Sequence, residues 1–147
     1  MLRRALDLNP NNGQAWAALG AAYQMQSEHE QAIEHLERGI ENSSIDSRLA
    51  VWKTILALSY AGTGRMKDAL RATQEGCQID DKLYLPRIAL AAIHLNTTNR
   101  DDARAALEDA LRVKPDLSRH EMNCMVGRPQ ASALVDLLEP PRPDLAD

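Results

Sequence analysis

The chain has 147 residues and a formal charge of −4 from 21 acidic and 17 basic side chains, which is the length of one domain with a modest core. Leu, Ile and Val number 20, 7 and 4, Phe is absent and Ala adds 22, a balance that favours helices over strands and predicts an all-α fold. No stretch gathers basic residues into a stripe for a phosphate backbone, no apolar run reaches the roughly 18 residues of a membrane span, and Cys77 and Cys124 have no CxxC spacing, so the reading excludes nucleic acid, direct membrane contact and a disulfide framework.

Met1-Leu2-Arg3-Arg4 leads into a helical pattern and not into a signal-peptide h-region, so the expected location is cytoplasmic, or periplasmic for a segment of a membrane-anchored signalling protein. Trp16, Leu19, Gly20 and Tyr23 then lie on one helical stripe, and after the break Gln26-Ser27-Glu28 a second stripe holds Ala32, Ile33, Leu36 and Ile40. Two amphipathic helices of this kind must pair. Gly20, Ala57 and Ala91 stand at matching places, where small side chains let the facing helix approach. Gly62-Thr63-Gly64 and Asn96-Thr97-Thr98-Asn99 supply later turns, and Pro10 and Pro115 close helices, which predicts helix-turn-helix units over 14–41, 48–79 and 83–114. Beyond Pro115, Ser118-x-x-Glu121 is a capping box opening a helix to about Val126, Gly127 ends it, and Pro129 starts another through Leu138. Glu139 to Asp147, with Pro140, Pro141 and Pro143, reads as a disordered tail.

The units repeat. Ala32, Ala69 and Ala103 are spaced by 37 and 34 residues, and the three extra residues of the first step fall in the polar loop Glu41-Asn42-Ser43-Ser44-Ile45-Asp46. Trp16-x2-Leu19-Gly20-x2-Tyr23 followed by Ala32 and Leu36 resembles the tetratricopeptide repeat (TPR), a pattern of about 34 residues. A second copy holds Leu56, Ala57, Tyr60, Ala69 and Thr73, and a third holds Leu90, Ala91, His94, Ala103, Leu107 and Pro115. Trp52 lies eight residues before Tyr60, one more than Trp16 to Tyr23, so either the Trp or the Tyr of copy two is displaced. The resemblance implies a right-handed TPR-type helical solenoid of antiparallel helix pairs: residues 1–10 as the second half of a truncated repeat, repeats at 13–46, 48–82 and 83–116, and capping helices at 117–138. Asp80-Asp81-x-Leu83-Tyr84-Leu85-Pro86-Arg87 and Lys114-Pro115-Asp116-Leu117-Ser118 are also similar to the carboxy-terminal TPR regions of bacterial class III adenylate/guanylate cyclases and related signalling regulators. That similarity spans residues 48–138 at most.

Catalysis has thin support. His120 and Cys124 sit four apart on a helix, but two ligands do not make a structural zinc site. His29 and His35 read as solvated residues and His94 as a packed one. Gly62-Thr63-Gly64-Arg65 lacks the preceding strand and the Gly-Lys-Ser/Thr ending of a phosphate loop and reads as a turn. Asn42 and Asn96 head glycosylation patterns that are inert without a secretory signal. Glu28, Glu30, Glu34, Glu37 and Glu41 form a solvated face, and Trp16, Tyr23, Trp52 and Tyr60 read as packing residues and not as a cation cage. No cofactor and no metal are expected.

The TPR resemblance implies a non-enzymatic protein-interaction module whose first helices line a groove for a peptide, a helix or a neighbouring domain. Groove positions fall on Gln14, Ala17, Ala18, Ala21, Gln24 and Met25 in copy one, on Val51, Thr54, Ile55 and Leu58 in copy two, and on Leu85, Ile88, Ala89, Ala92, Leu95 and Asn96 in copy three. The carboxylate clamp of chaperone-binding TPR proteins needs Lys, Asn and Arg where this chain has Ala17, Ala21, Ile55, Leu85 and Ala89, so an acidic chaperone tail is not an expected partner. The alternative is a regulatory or assembly segment of a larger signalling enzyme such as a nucleotide cyclase. Leu2, Leu6 and Leu8, next to the uncharged stretch Gln14–Gln26, further suggest a homodimer through the amino-terminal helices.

Overall fold

The computed structural model describes residues 12–43, 47–138 and 140–145. Among them the regular structure is helical: α1 (Gly13–Met25), α2 (His29–Asn42), α3 (Leu49–Gly62), α4 (Met66–Ile79), α5 (Leu85–Asn96), α6 (Arg100–Val113), α7 (Arg119–Val126), α8 (Arg128–Val135) and a 3-10 turn at Pro143–Leu145. The chain divides into two compact units, one up to Ile79 and the other from Asp80 onward. Residues 1–10, read as half of a truncated repeat, lie outside the described residues.

In the first unit α1 pairs with α2 and α3 with α4, and both α1 and α2 also pack on α3. Asn12 caps α1 by accepting the Ala15 N–H at 3.1 Å, which satisfies an amide that the first turn cannot. The α1–α2 crossing is set by small residues. A Cβ placed on Gly20 would lie 2.6 Å from Leu36 Cγ and 3.1 Å from the Ala32 carbonyl oxygen, and one on Gly39 would lie 2.8 Å from both Ala17 N and Gly13 O. Ala57 and Ala91, at the place of Gly20 in the later hairpins, are fully buried.

Each hairpin turns in the same way. The amides of Glu28, Arg65 and Asn99 donate to the carbonyls of Tyr23, Tyr60 and His94, all at 2.9 Å. Between them Ser27, Gly64 and Thr98 take positive φ, so the three turns share the Schellman arrangement. This equivalence resolves the register of copy two: Tyr60 holds the place of Tyr23, so Trp52 is the displaced aromatic and Lys53 stands where Trp16 does.

In the second unit α5 pairs with α6 and α7 with α8, and α8 also packs on α5 and α6. Ile88, Leu107, Leu117, Met122, Leu134 and Leu145 belong to one buried cluster. The capping box forms as expected, with Glu121 N donating to Ser118 Oγ at 3.1 Å and Ser118 N to Glu121 Oε2 at 2.8 Å. Gly127 ends α7 at φ +87°. Two expectations are corrected. Helix α8 stops at Val135 and not at Leu138, because the chain turns there and buries Leu137 and Leu138. Residues 140–145, read as part of a disordered tail, form a strap whose Leu145 is 1% exposed and whose Leu145 carbonyl accepts Arg119 Nη1 at 3.0 Å. The prolines narrow the unfolded conformations of this segment, so one buried leucine and one charge-assisted bond suffice to hold it.

Candidate functional site

Helices α1, α3 and α5 differ in chemistry from α2, α4 and α6. Lys53 and Arg87 are the only charged residues of the former set, whereas α2 alone carries Glu30, Glu34, Glu37, Arg38 and Glu41. In the first unit α1 lies against α3, and the side chains they expose from the expected groove set are uncharged: Gln14, Ala18, Ala21, Gln24 and Met25 on α1, with Val51, Ile55 and Leu58 on α3. Met25 is 84% exposed. In the second unit, taken by itself, Leu85 and Leu95 of α5 are half-buried and Asn96 is exposed, its Oδ1 accepting Gln130 Nε2 of α8 at 2.9 Å.

The remaining expected groove residues are not on a surface. Ala17, Thr54, Ile88, Ala89 and Ala92 are buried. Ala17 is pressed against Gly39, the Thr54 hydroxyl donates to the Ala50 carbonyl at 2.9 Å, and Ile88 and Ala92 sit in the core of the second unit. A first helix packed on more than one side exposes a narrower stripe than half its circumference.

The other candidates resolve locally. Trp52 and Tyr60 are buried, while Trp16 and Tyr23 are half-buried with the His35 ring between them, at centroid distances of 5.2 and 5.1 Å. Arg38 lies 4.9 Å over the Trp16 ring, a cation–π contact on the outer face. Cys77 is half-buried and Cys124 exposed, the latter with its Sγ 3.6 Å from His120 Nε2. Among the described residues no three His, Cys, Asp or Glu side chains group to hold a metal ion, and no helix is long and apolar enough to cross a membrane.

Sequence reasoning missed a polar joint between the first two hairpins. The Tyr60 hydroxyl donates to Glu37 Oε1 at 2.5 Å, Arg65 stacks 4.5 Å over the Tyr60 ring, and Arg65 Nε also pairs with Asp68 at 2.9 Å. Burial, and then the hydrogen bond and negative charge of Glu37, push the Tyr60 phenol above its usual range. Signals for this joint were present, since Tyr60 and Arg65 flank the turn of copy two.

Paired antiparallel helices, repeated with a common turn and small residues at each crossing, define a helical-repeat scaffold. The family model for the tetratricopeptide repeat matches residues 1–34. The chain is 28% identical over 114 residues to anaphase-promoting complex subunit 3 of Schizosaccharomyces pombe, covering 78% of this chain and 17% of that relative. Among solved structures, Pseudomonas aeruginosa PilF aligns with a TM-score of 0.70 at 22% identity, over 95% of this chain and 65% of that one. The first TPR of Spaghetti (RPAP3), bound to the HSP90 peptide SRMEEVD, aligns with a TM-score of 0.66 at 16% identity, over 84% and 93%. Over residues 1–34 the chain is similar to the tetratricopeptide repeat, and its fold is the all-α helical repeat of these solved structures.

Proposed function

We propose that this chain is a non-enzymatic interaction module whose α1–α3 face takes an apolar or neutral peptide or helix. The observation that carries the reading is the absence of charge from every groove residue that α1 and α3 leave accessible, whereas the RPAP3 structure named above is bound to an acidic peptide and a carboxylate clamp would need Lys, Asn and Arg. A face of this kind gains affinity by removing apolar surface from water and penalises a partner that brings an unpaired charge. The exposed Met25 side chain is flexible and polarizable and adapts to an apolar neighbour.

A displayed library of helical and carboxy-terminal peptides, selected against the full chain, tests this. Selected segments should present neutral apolar faces, and SRMEEVD should not bind. Ala21→Arg and Leu58→Arg should each abolish binding of the selected segments while leaving the helical circular dichroism unchanged. Selection of acidic carboxy-terminal segments, or binding that survives both substitutions, would overturn the proposal. The suggested homodimer rests partly on Leu2, Leu6 and Leu8, which lie outside the described residues.

A further inference from the structure

Free cysteine is among the most buried residue types, yet Cys124 stands exposed on α7 with an exposed histidine, His120, one turn before it. The Cys124 Sγ and the His120 Nε2 face each other at 3.6 Å. Zinc binds a thiolate at about 2.3 Å and an imidazole nitrogen at about 2.0–2.1 Å, so two such donors on adjacent corners of a tetrahedron lie about 3.5–3.6 Å apart. The pair already has the separation of one tetrahedral edge. A helix presents residues four apart on one face, and helical zinc motifs use the same spacing to put two ligands on one ion. The helix that carries the pair is itself well held. Met122 between the two donors is 1% exposed on the opposite, buried side, and the Ser118–Glu121 capping box fixes the first turn. The charged neighbours of His120 are engaged elsewhere, Arg119 with Asn123, Ser132 and the Leu145 carbonyl, and Glu121 with Ser118 and Lys114.

We propose that His120 and Cys124 are half of a zinc site and that the same pair from a second copy of this chain completes it. Two donors leave a tetrahedral ion with two open positions, and among the described residues no third His, Cys, Asp or Glu joins the pair. Within one chain the set therefore stops at two. Two copies together supply Cys2His2, which is one of the closed ligand sets of structural zinc, and a tetrahedron of two sulfurs and two nitrogens points to zinc among divalent ions. A two-fold axis through the ion needs the same patch from each copy, and both donors lie on one exposed face of α7 where two helices can meet. On binding, each Cys124 thiol releases its proton to solvent as its Sγ bonds the ion, each His120 binds through a neutral Nε2, and the ion gives up its water ligands. Two thiolates cancel the charge of the ion. The contact involves none of the α1 and α3 residues of the docking face, so it joins two modules without occupying that face.

The test titrates the full chain, kept reduced with a phosphine, with zinc alone and in parallel with cobalt(II) as a coloured substitute. Binding should saturate at one ion for two chains, and sedimentation equilibrium should show a doubling of mass with zinc that a chelator reverses. Cobalt should give the intense visible bands of a tetrahedral site together with a thiolate charge-transfer band. His120→Ala and Cys124→Ser each remove one donor at an exposed position, so each should weaken the zinc-dependent association at least tenfold while leaving the circular dichroism of the metal-free protein unchanged. Cys77→Ser, which touches the other thiol, should leave the association as it is. A mass that does not respond to zinc overturns the proposal, as does saturation at one ion per chain without association. Association that survives His120→Ala or Cys124→Ser, or that is lost with Cys77→Ser, overturns it as well.

Discussion

Ser27 and Thr98 hold φ of 60°, at the position where the second hairpin has Gly64. An L-residue there brings Cβ against its own carbonyl, at about 1–2 kcal/mol, and a β-branched residue tolerates it least. Nothing lies within 4 Å of a Cβ placed on Gly64, so the backbone alone decides this position. Thr98→Gly should therefore stabilise the protein by about 1 kcal/mol, and Gly64→Ala should destabilise it by a similar amount, both read from urea midpoints. A lower midpoint for Thr98→Gly would mean that the threonine hydroxyl, which reaches the Thr97 carbonyl at 2.6 Å, outweighs the strain. Tyr60 carries the second residue-scale prediction. Its phenol is held neutral in the fold above the unfolded value near 10, so the linked stability is complete below about pH 10 and falls as pH rises beyond it. Tyr60→Phe should lose about 1–2 kcal/mol at neutral pH by removing the bond to Glu37, and denaturation above pH 10 should lose the part of its slope that the parent shows. Equal alkaline slopes would sink that account.

At the scale of elements, the three hairpins followed from hydrophobic period, turn residues and caps, and so did the crossing role of Gly20, while the end of α8 did not. That role makes a quantitative prediction: Gly20→Leu must displace Leu36 and should destabilise by about 1–3 kcal/mol, while the exposed Glu30→Gln should change the melting temperature far less. Equal melting temperatures would mean that α1 and α2 do not cross at Gly20. Two features were not legible. Leu145 looked like the end of a proline-rich polar segment, and only the position of Arg119, 26 residues earlier in sequence and 3.0 Å away in space, shows why it docks. Ala17, Thr54, Ile88, Ala89 and Ala92 carry the small or apolar character of a groove residue, yet the same character suits a helix packed on several sides. Periodicity finds the buried face of a helix but not the width of that face. Thr54, Ser59 and Thr73 illustrate the limit further. Each is buried as deeply as a leucine, since its hydroxyl bonds a carbonyl of its own helix and needs no water.

At the scale of the whole molecule, charge is sorted by helix order. The second helices α2, α4 and α6 hold the Glu, Asp, Lys and Arg residues that keep the chain in water, and the first helices α1, α3 and α5 hold two. The second helices carry sixteen charged side chains against those two, with formal charges of −3, 0 and −1 in chain order, so the charged side of each hairpin is not the proposed docking face. Binding at that face should respond to salt as apolar burial does. Raising ionic strength from about 0.05 to 0.5 M shortens the screening length to a few ångströms and should change the affinity of a neutral selected peptide by less than about threefold. A partner held by the acidic surface of α2, where Glu30, Glu34 and Glu41 are exposed, would instead lose affinity by an order of magnitude or more, because exposed charge pairs are worth little once screened. Isothermal titration at the two ionic strengths separates these outcomes, with Leu58→Arg abolishing binding in the first case and leaving it intact in the second.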